Sequence, residues 1–485
     1  MNSNLTLRKK GQQLKAGYLI VLVLVFSGIF FTIVTGFLGY VITQNKLVNF
    51  RYEQQRSTEI AEAGLNYYKW FLAHYPGNLT NGTGQPGPYI RKYKDPEGEF
   101  MGEFSLTIAS TTYCGAIASI DVESKAFTYD EPEAVSTVRA RYTRPNVAEF
   151  SFITNSSVWY GADRIITGPI HSNQGIRMDG RHNSSVGSGQ LNWNCTSTFG
   201  CSPNATVNGV HTTGGNATPG LFQFPISPVD FNGITLDLAD IKNKAQNAGG
   251  IYFGPSGSSG YRVTFNSNGT ITVRRVTGTT AYNAYSLTED WHTERNVISN
   301  EVLIGTRVIS PTCPILFFED RVWLEGQISQ KVTLAAANLS SAAQTNIIIN
   351  NNISYTPNSF SGLLAIAEDD IDVGLVVPNN LTADGIYVAQ NGRFGINNYC
   401  TNCTVSGVNR GLPNALDPYV IRGTLTQLGS IISNGRVGTR WTNNGVFSSG
   451  FNTRINSFDL NQVANPPPMT PETSDVYLFK DWNQD

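Results

Sequence analysis

A chain of 485 residues exceeds what one compact core normally holds, so two or more units are expected. Only 14% of residues are charged and the formal net charge is −2, which leaves no electrostatic case for a nucleic-acid partner. The 47 glycines suit short strands joined by tight turns, while 25 Phe, 21 Tyr and 7 Trp supply too much apolar surface for a disordered chain.

Residues 1–15 carry Arg8, Lys9, Lys10 and Lys15 and no acidic residue; residues 16–42 carry no charge at all. At about 1.5 Å per residue this run crosses a ~30 Å hydrocarbon core with some tilt. The positive-inside rule then places 1–15 as a cytoplasmic leader and the bulk outside. No Ala-x-Ala-like cleavage site follows the run, so a retained single-pass membrane helix is expected. Gly28, Thr32 and Gly36 form a small-x-x-x-small row that lets helices approach closely; ordinary use of small residues in a membrane helix explains it equally well.

The helix continues beyond the membrane, because Ala61, Leu65, Tyr68, Leu72 and Tyr75 form an apolar stripe and Pro76-Gly77 stops it. Residues 16–75 are thus one rod of roughly 90 Å. Within 76–148, three stretches alternate apolar and polar: Phe104–Ile108, Ile120–Val122 and Val138–Tyr142. They predict a small antiparallel sheet packed on the stripe.

From 149 to 470 short apolar bursts recur between Gly/Asn/Asp turns, among them Val322-Trp323-Leu324, Ile347-Ile348-Ile349 and Ile386-Tyr387-Val388. The fold class is therefore mainly β with a long N-terminal α-helix. The large domain is expected as a β-solenoid (right-handed β-helix-like), with a β-sandwich as the alternative. A weak repeat supports the solenoid: Gly168-Pro-Ile-His-Ser, Gly326-Gln-Ile-Ser-Gln and Gly423-Thr-Leu-Thr-Gln. Asn350–Asn352 and Asn379-Asn380 are turn residues suited to stacking between coils. Asn268-Gly269 marks a hairpin between 261–265 and 270–276 that looks separate from the rest. Residues 471–485 read as a C-terminal tail.

Six cysteines outside the membrane favour disulfides. Cys195/Cys201 and Cys400/Cys403 are the local pairs; Cys114 and Cys313 stay unassigned. Glu368-Asp369-Asp370-Ile371-Asp372 could hold Ca²⁺, although alternation would place Asp370 and Asp372 on the solvent face of a strand, and no other cofactor or metal is expected. Glu319, Asp320 and Glu325 with Arg321, or Asp163, His171 and Asp179, are the candidates for polysaccharide cleavage. None sits in a catalytic motif, and the chain reads as a non-enzyme.

Arg8-Lys9-Lys10-Gly11, the apolar run and Ala61-Glu62-Ala63-Gly64 together resemble type IV pilins, and more closely minor pilins with a PilX-like start. The β-rich remainder looks like the large extensions some of these carry. The resemblance implies a peptidase cut after a glycine, with Gly11 and Gly17 as candidates, and a glutamate at the fifth mature position. The two cuts put Ala16 or Leu22 there instead. This favours a tip or initiating subunit over a shaft subunit. Partners would be the membrane, other pilin-like subunits and surface glycans or proteins. The implied role is a structural or adhesive subunit of a pilus-like filament at the cell surface. The alternative is a membrane-stalked carbohydrate-binding or carbohydrate-active protein.

Overall fold

The computed structural model describes residues 14–484 apart from 76, 235–236, 342–344, 358–359, 444 and 475, with side chains from residue 18 onward and not at 233–234. Gly11 lies outside the described residues; Gly17 lies in the first turns of helix α1 (Leu14–His74). Leu, Ile, Val and Phe fill the lower half of α1, and the side chains from Tyr18 to Ile42 stand exposed almost throughout. Its polar groups are satisfied within the helix: the hydroxyls of Thr32, Thr35 and Thr43 donate to Ile29 O (2.7 Å), Phe31 O (2.7 Å) and Gly39 O (2.9 Å). A helix whose threonines satisfy their hydrogen bonds on its own backbone and whose surface is mainly apolar is compatible with lipid on all sides. Among the described residues, only α1 is long and apolar enough to cross a membrane.

The upper half of α1 lies on an antiparallel sheet of β1 (Tyr89–Lys94), β2 (Phe100–Tyr113), β3 (Ala116–Thr128) and β4 (Ser136–Thr143), in that spatial order. The three alternating stretches fall within β2, β3 and β4. Their inward residues Phe104, Leu106, Ile120, Val122, Val138 and Tyr142 meet Ala61, Leu65, Tyr68 and Leu72 of the helix in one apolar cluster. Tyr75, expected at the end of the stripe, is 54% exposed because the sheet stops short of it.

Beyond Asn146 the chain builds stacked coils. Strand β5 (Phe152–Thr154) pairs in parallel with β6 (Ile170–Ser172), β6 with Val186–Ser188, and that with Phe222–Gln223. A second row stacks Val158–Tyr160, Ile176–Met178 and Val210–His211 in parallel. Residues 224–250 then leave the row and include α2 (Leu238–Asn247), capped by Asp237, whose carboxylate accepts from Ala239 N and Asp240 N. The main row restarts at Ile251–Phe253 and runs through Ile315–Phe318, Lys331–Ala336, Gly362–Ala367 and Gly385–Ala389, all parallel. Between these strands the chain also forms β7 (Thr270–Ser286), β8 (Asp290–Val308) and β9 (Ile371–Val373), and the main row ends at β10 (Ile421–Ser433).

Strand β10 pairs with β5, Ile431 opposite Phe152. In space the coils of 251–457 therefore come first and those of 152–223 continue them in the same direction. The parallel registers remove the β-sandwich alternative, whose sheets are antiparallel. Strands buried on both faces explain the uninterrupted bursts. Inside the coils lie Phe152, Leu316, Leu334 and Ile431. Outside, Ile315, Phe317, Leu364, Ile366 and Val388 belong to a second apolar cluster with Ile241 and Ala245 of α2 and with Val147 and Ala148.

Three sequence expectations need correction. The Asn268-Gly269 hairpin forms, with Gly269 at φ +77°, but it is not separate: its first strand, Gly260–Asn266, pairs in parallel with Val322–Ile328 of the coil stack. The three Gly-x-apolar repeats occupy three different strand rows, so they do not report the coil period. In register, Gly168 lines up with Gly429 across the intervening strand β5, and Gly429 pairs with Gly385. Both Gly168 (φ +111°) and Gly429 (φ +132°) need the left-handed region, and a Cβ on Gly429 would lie 2.1 Å from Gly385 O. The supposed tail carries β11 (Leu478–Gln484), which returns to pair with β4 as a fifth strand of the small sheet. Phe479 closes on Tyr142 at 4.3 Å between ring centroids, an apolar contact that a solvated tail lacks.

Candidate functional site

The first candidate surface is the membrane half of α1. Gly28, Thr32 and Gly36 share one face, and a Cβ built on either glycine meets nothing within 4 Å. The row is open; exposed Phe31 stands to one side of it, and exposed Phe30 and Phe37 lie on the opposite face of the helix.

The Ala61-Glu62-Ala63-Gly64 element has a different task. Ala61 is fully buried, and a Cβ on Gly64 would lie 2.4 Å from Ser124 Oγ and 2.9 Å from a ring carbon of Phe104. The two small residues, three apart, let the helix backbone come down onto β2 and β3, while Glu62 and Ala63 stand half-buried at the side. Below it Ser57 Oγ donates to Ser136 Oγ at 2.9 Å, and above it the Tyr142 hydroxyl donates to Leu65 O.

All six cysteines are paired: Cys195–Cys201, Cys400–Cys403 and Cys114–Cys313. The third joins the β2–β3 turn to the coil stack across 199 residues. Among the described residues, Cys195, Cys201 and His211 are the group of three metal-capable side chains with ligand atoms within 4.8 Å, and both sulfurs are taken by their disulfide.

The acidic run at 368–372 does not converge as a Ca²⁺ site would require. Glu368 Oε2 accepts from Asn338 N at 2.9 Å, and Asp370 Oδ1 accepts from Arg393 N at 2.6 Å. Asp372 is not on a solvent face but 5% exposed, in a strand buried throughout. The reason is long range: β7 and β8 form a long hairpin that folds back over the outside of the coils. It buries Trp323, whose Nε1 donates to Asn296 O at 2.7 Å, and sets Glu294 beside Asn397 Nδ2 (3.0 Å) and the Tyr399 hydroxyl (3.0 Å). Burial, with Asp370 nearby, pushes the Asp372 carboxyl well above the usual range, against the pull of Arg393 at 3.7 Å. Burial and the neighbouring Asp370, Glu289 and Glu368 raise Asp369 to about 6.

The carboxylates weighed for polysaccharide cleavage are each held by neighbours. Glu319 takes Lys242 and the Tyr252 hydroxyl (2.6 Å), Asp320 takes Ser256 N (3.0 Å), and Glu325 takes Arg262 (2.7 Å) and Asn350 (2.7 Å). Asp163 takes Arg454 (2.8 Å) and Asp179 takes Arg177 (2.7 Å). His171 is held by Asn173 at 2.9 Å, and burial lowers its pKa.

A feature the sequence did not reveal is a cleft of about 1160 Å³ at the seam between the two halves of the coil stack. One wall comes from Trp159 and Asp163, another from the hairpin tip with Tyr285, Glu289 and Trp291, and a third from Arg436, Arg440 and Trp441. The Cys400–Cys403 loop closes one end. Tyr285 lies 5.6 Å from Trp291 and 5.7 Å from Trp441, ring to ring, so three aromatics form one contiguous patch. The tip is tied to the disulfide loop by paired backbone bonds between Tyr285 and Asn398 (3.0 and 2.9 Å). No local pattern brings residues 159, 285 and 441 together; only the coil order does.

No family model matches the chain, and no curated protein matches it. Among solved structures it is similar to the competence-associated pilin ComZ from Thermus thermophilus, at 12% identity and a TM-score of 0.27, over 89% of this chain and 98% of that one.

Proposed function

We propose that the protein is a pilin-like, membrane-anchored subunit of a type IV pilus-like filament, in a terminal or minor position, displaying the coil stack as a structural or adhesive domain outside the cell. One observation carries this: a single 61-residue helix has a lower half exposed on all sides and an upper half locked onto a sheet through Ala61 and Gly64. A helix with so much unburied apolar surface needs lipid or other helices around it, and the open Gly28-Thr32-Gly36 face suits close helix neighbours. The reading is non-catalytic, in keeping with carboxylates occupied by ion pairs. The test is the mature N-terminus in cells with active prepilin peptidase: a new terminus after Gly11 or Gly17 supports the reading, and an intact Met1 sinks it. A Gly28→Leu/Gly36→Leu variant should keep its melting temperature and lose recovery in sheared filaments.

A further inference from the structure

We propose that the seam cleft binds a neutral oligosaccharide. Its volume, about 1160 Å³, lies above the ~300–1,000 Å³ of ordinary small-molecule sites, so it suits a ligand of several rings. Tyr285, Trp291 and Trp441 are half-buried, with Tyr285 in contact with each tryptophan, which gives apolar ring faces for sugar rings to lie on. Trp441 is fixed by donation from Nε1 to Ile396 O at 2.8 Å, so its face is held in place before any ligand arrives.

The polar walls fit hydroxyl donors. Asp417 and Asn398 line the cleft, and each carries behind that surface a buried side-chain oxygen with no hydrogen-bond partner among the described residues. Glu289 and Asp369 add carboxylates, and a buried acceptor without a donor is costly. A chain of sugar rings supplies many O–H donors together with apolar ring faces. A polyanion does not fit: the lining Asp163, Glu289, Asp369, Asp370 and Asp417 offset the lining arginines, leaving no cationic surface. The cleft is built from both halves of the stack and from the hairpin tip, so it exists only when the seam is closed.

The test uses the full chain in detergent, titrated with cellohexaose, chitohexaose and, as the polyanion control, a heparin hexasaccharide. The expected result is saturable quenching or a blue shift of tryptophan emission with at least one neutral hexasaccharide and none with heparin. Trp441→Ala and Trp291→Ala should each weaken binding by about tenfold, and Trp441→Phe should restore most of it. Variants with an unchanged far-ultraviolet spectrum and melting temperature are the ones compared. Absence of binding by both neutral sugars at millimolar concentration overturns the proposal. So does binding that the tryptophan variants leave intact, or preference for heparin. The outcome is independent of the filament reading: a chain that binds sugar but keeps Met1 would sink that reading and leave this one standing.

Discussion

Asn155 donates from Nδ2 to Asn434 Oδ1 at 2.8 Å, although 279 residues separate them in the chain. Asn173 donates in turn to Asn155 Oδ1 at 2.9 Å, and Asn434 Nδ2 reaches Asn391 O at 3.3 Å. The ladder runs through the seam without interruption, so the first coil made and the last coil made behave as ordinary neighbours. In a stack whose stability is mainly nearest-neighbour, a break there acts on both halves. Asn155→Leu should cost about 1–3 kcal/mol, because it strips a partner from both neighbouring asparagines. Asn351→Ala, exposed within the strand Ile347–Tyr355, should stay within ~0.5 kcal/mol. Urea unfolding of both variants checks this; equal midpoints would show that the seam ladder contributes nothing.

How far the fold could be read from sequence depends on whether its cause was local. Phe104, Leu106 and Ile108 alternate because one face of β2 meets a helix, and that alternation is printed in the chain. Bursts such as Ile347-Ile348-Ile349 likewise carry their double-sided burial in their own composition. The coil order is not local: nothing in Phe152 names Ile431 as its neighbour. The one local signal is Gly-x-Ile-x-Ser, shared by Gly168 and Gly429; Gly326 and Gly423 carry a similar pattern at corners of other rows. Alternation fails at Asp372 for a similar reason: it assumes a free outer face, and the β7–β8 hairpin covers that face. Asn352, Asn379 and Asn380 do link coils, but by accepting from the backbone of Thr382, Gly423 and Thr424.

The Cys114–Cys313 bond closes a loop of 199 residues between the small sheet and the coils. In the chain-entropy account such a link contributes typically about 2–4 kcal/mol, mostly through the unfolded state. The junction keeps other ties without it: β11 on β4, and Arg144 to Glu472 at 2.6 Å. Cys114→Ser/Cys313→Ser should therefore lower the melting temperature by several degrees while leaving the folded circular dichroism spectrum unchanged. A variant that melts at the parental temperature would mean that the strand and ion pair suffice.

At Gly64 two effects oppose. Alanine would gain up to ~1 kcal/mol of helix propensity. Its Cβ would, however, sit 2.4 Å from Ser124 Oγ and 2.9 Å from Phe104, and overpacking of this kind costs typically about 1–3 kcal/mol. The clash should win, making Gly64→Ala destabilising by roughly 1–2 kcal/mol. Gly64→Ala combined with Ser124→Gly removes the nearer obstacle and should recover part of the loss. Thermal melts of the two variants decide the matter, and a Gly64→Ala protein more stable than the parent would show that helix and sheet are not in tight contact here.

Four carboxyls bear on pH dependence, and their sign is opposite to that of ion-paired acids. Burial raises Asp369 and Asp384 to about 6 from 3.8, and raises Asp370 and Asp372 as well. Between about pH 4 and pH 6 the folded protein then holds protons that the unfolded chain has released, so the contribution of these groups to stability falls as pH rises and is level above the folded values. Asp369→Asn removes one such group. With its partial contact with solvent, the gain at neutral pH should be about 1 kcal/mol, and it should vanish below about pH 3, where both states are protonated. Urea midpoints of parent and variant at the two pH values measure this. A gain of equal size at both would assign the effect to packing, and a loss at neutral pH would show that the carboxylate, crowded as it is by Asp370 and Glu289, makes a favourable contact in its charged form.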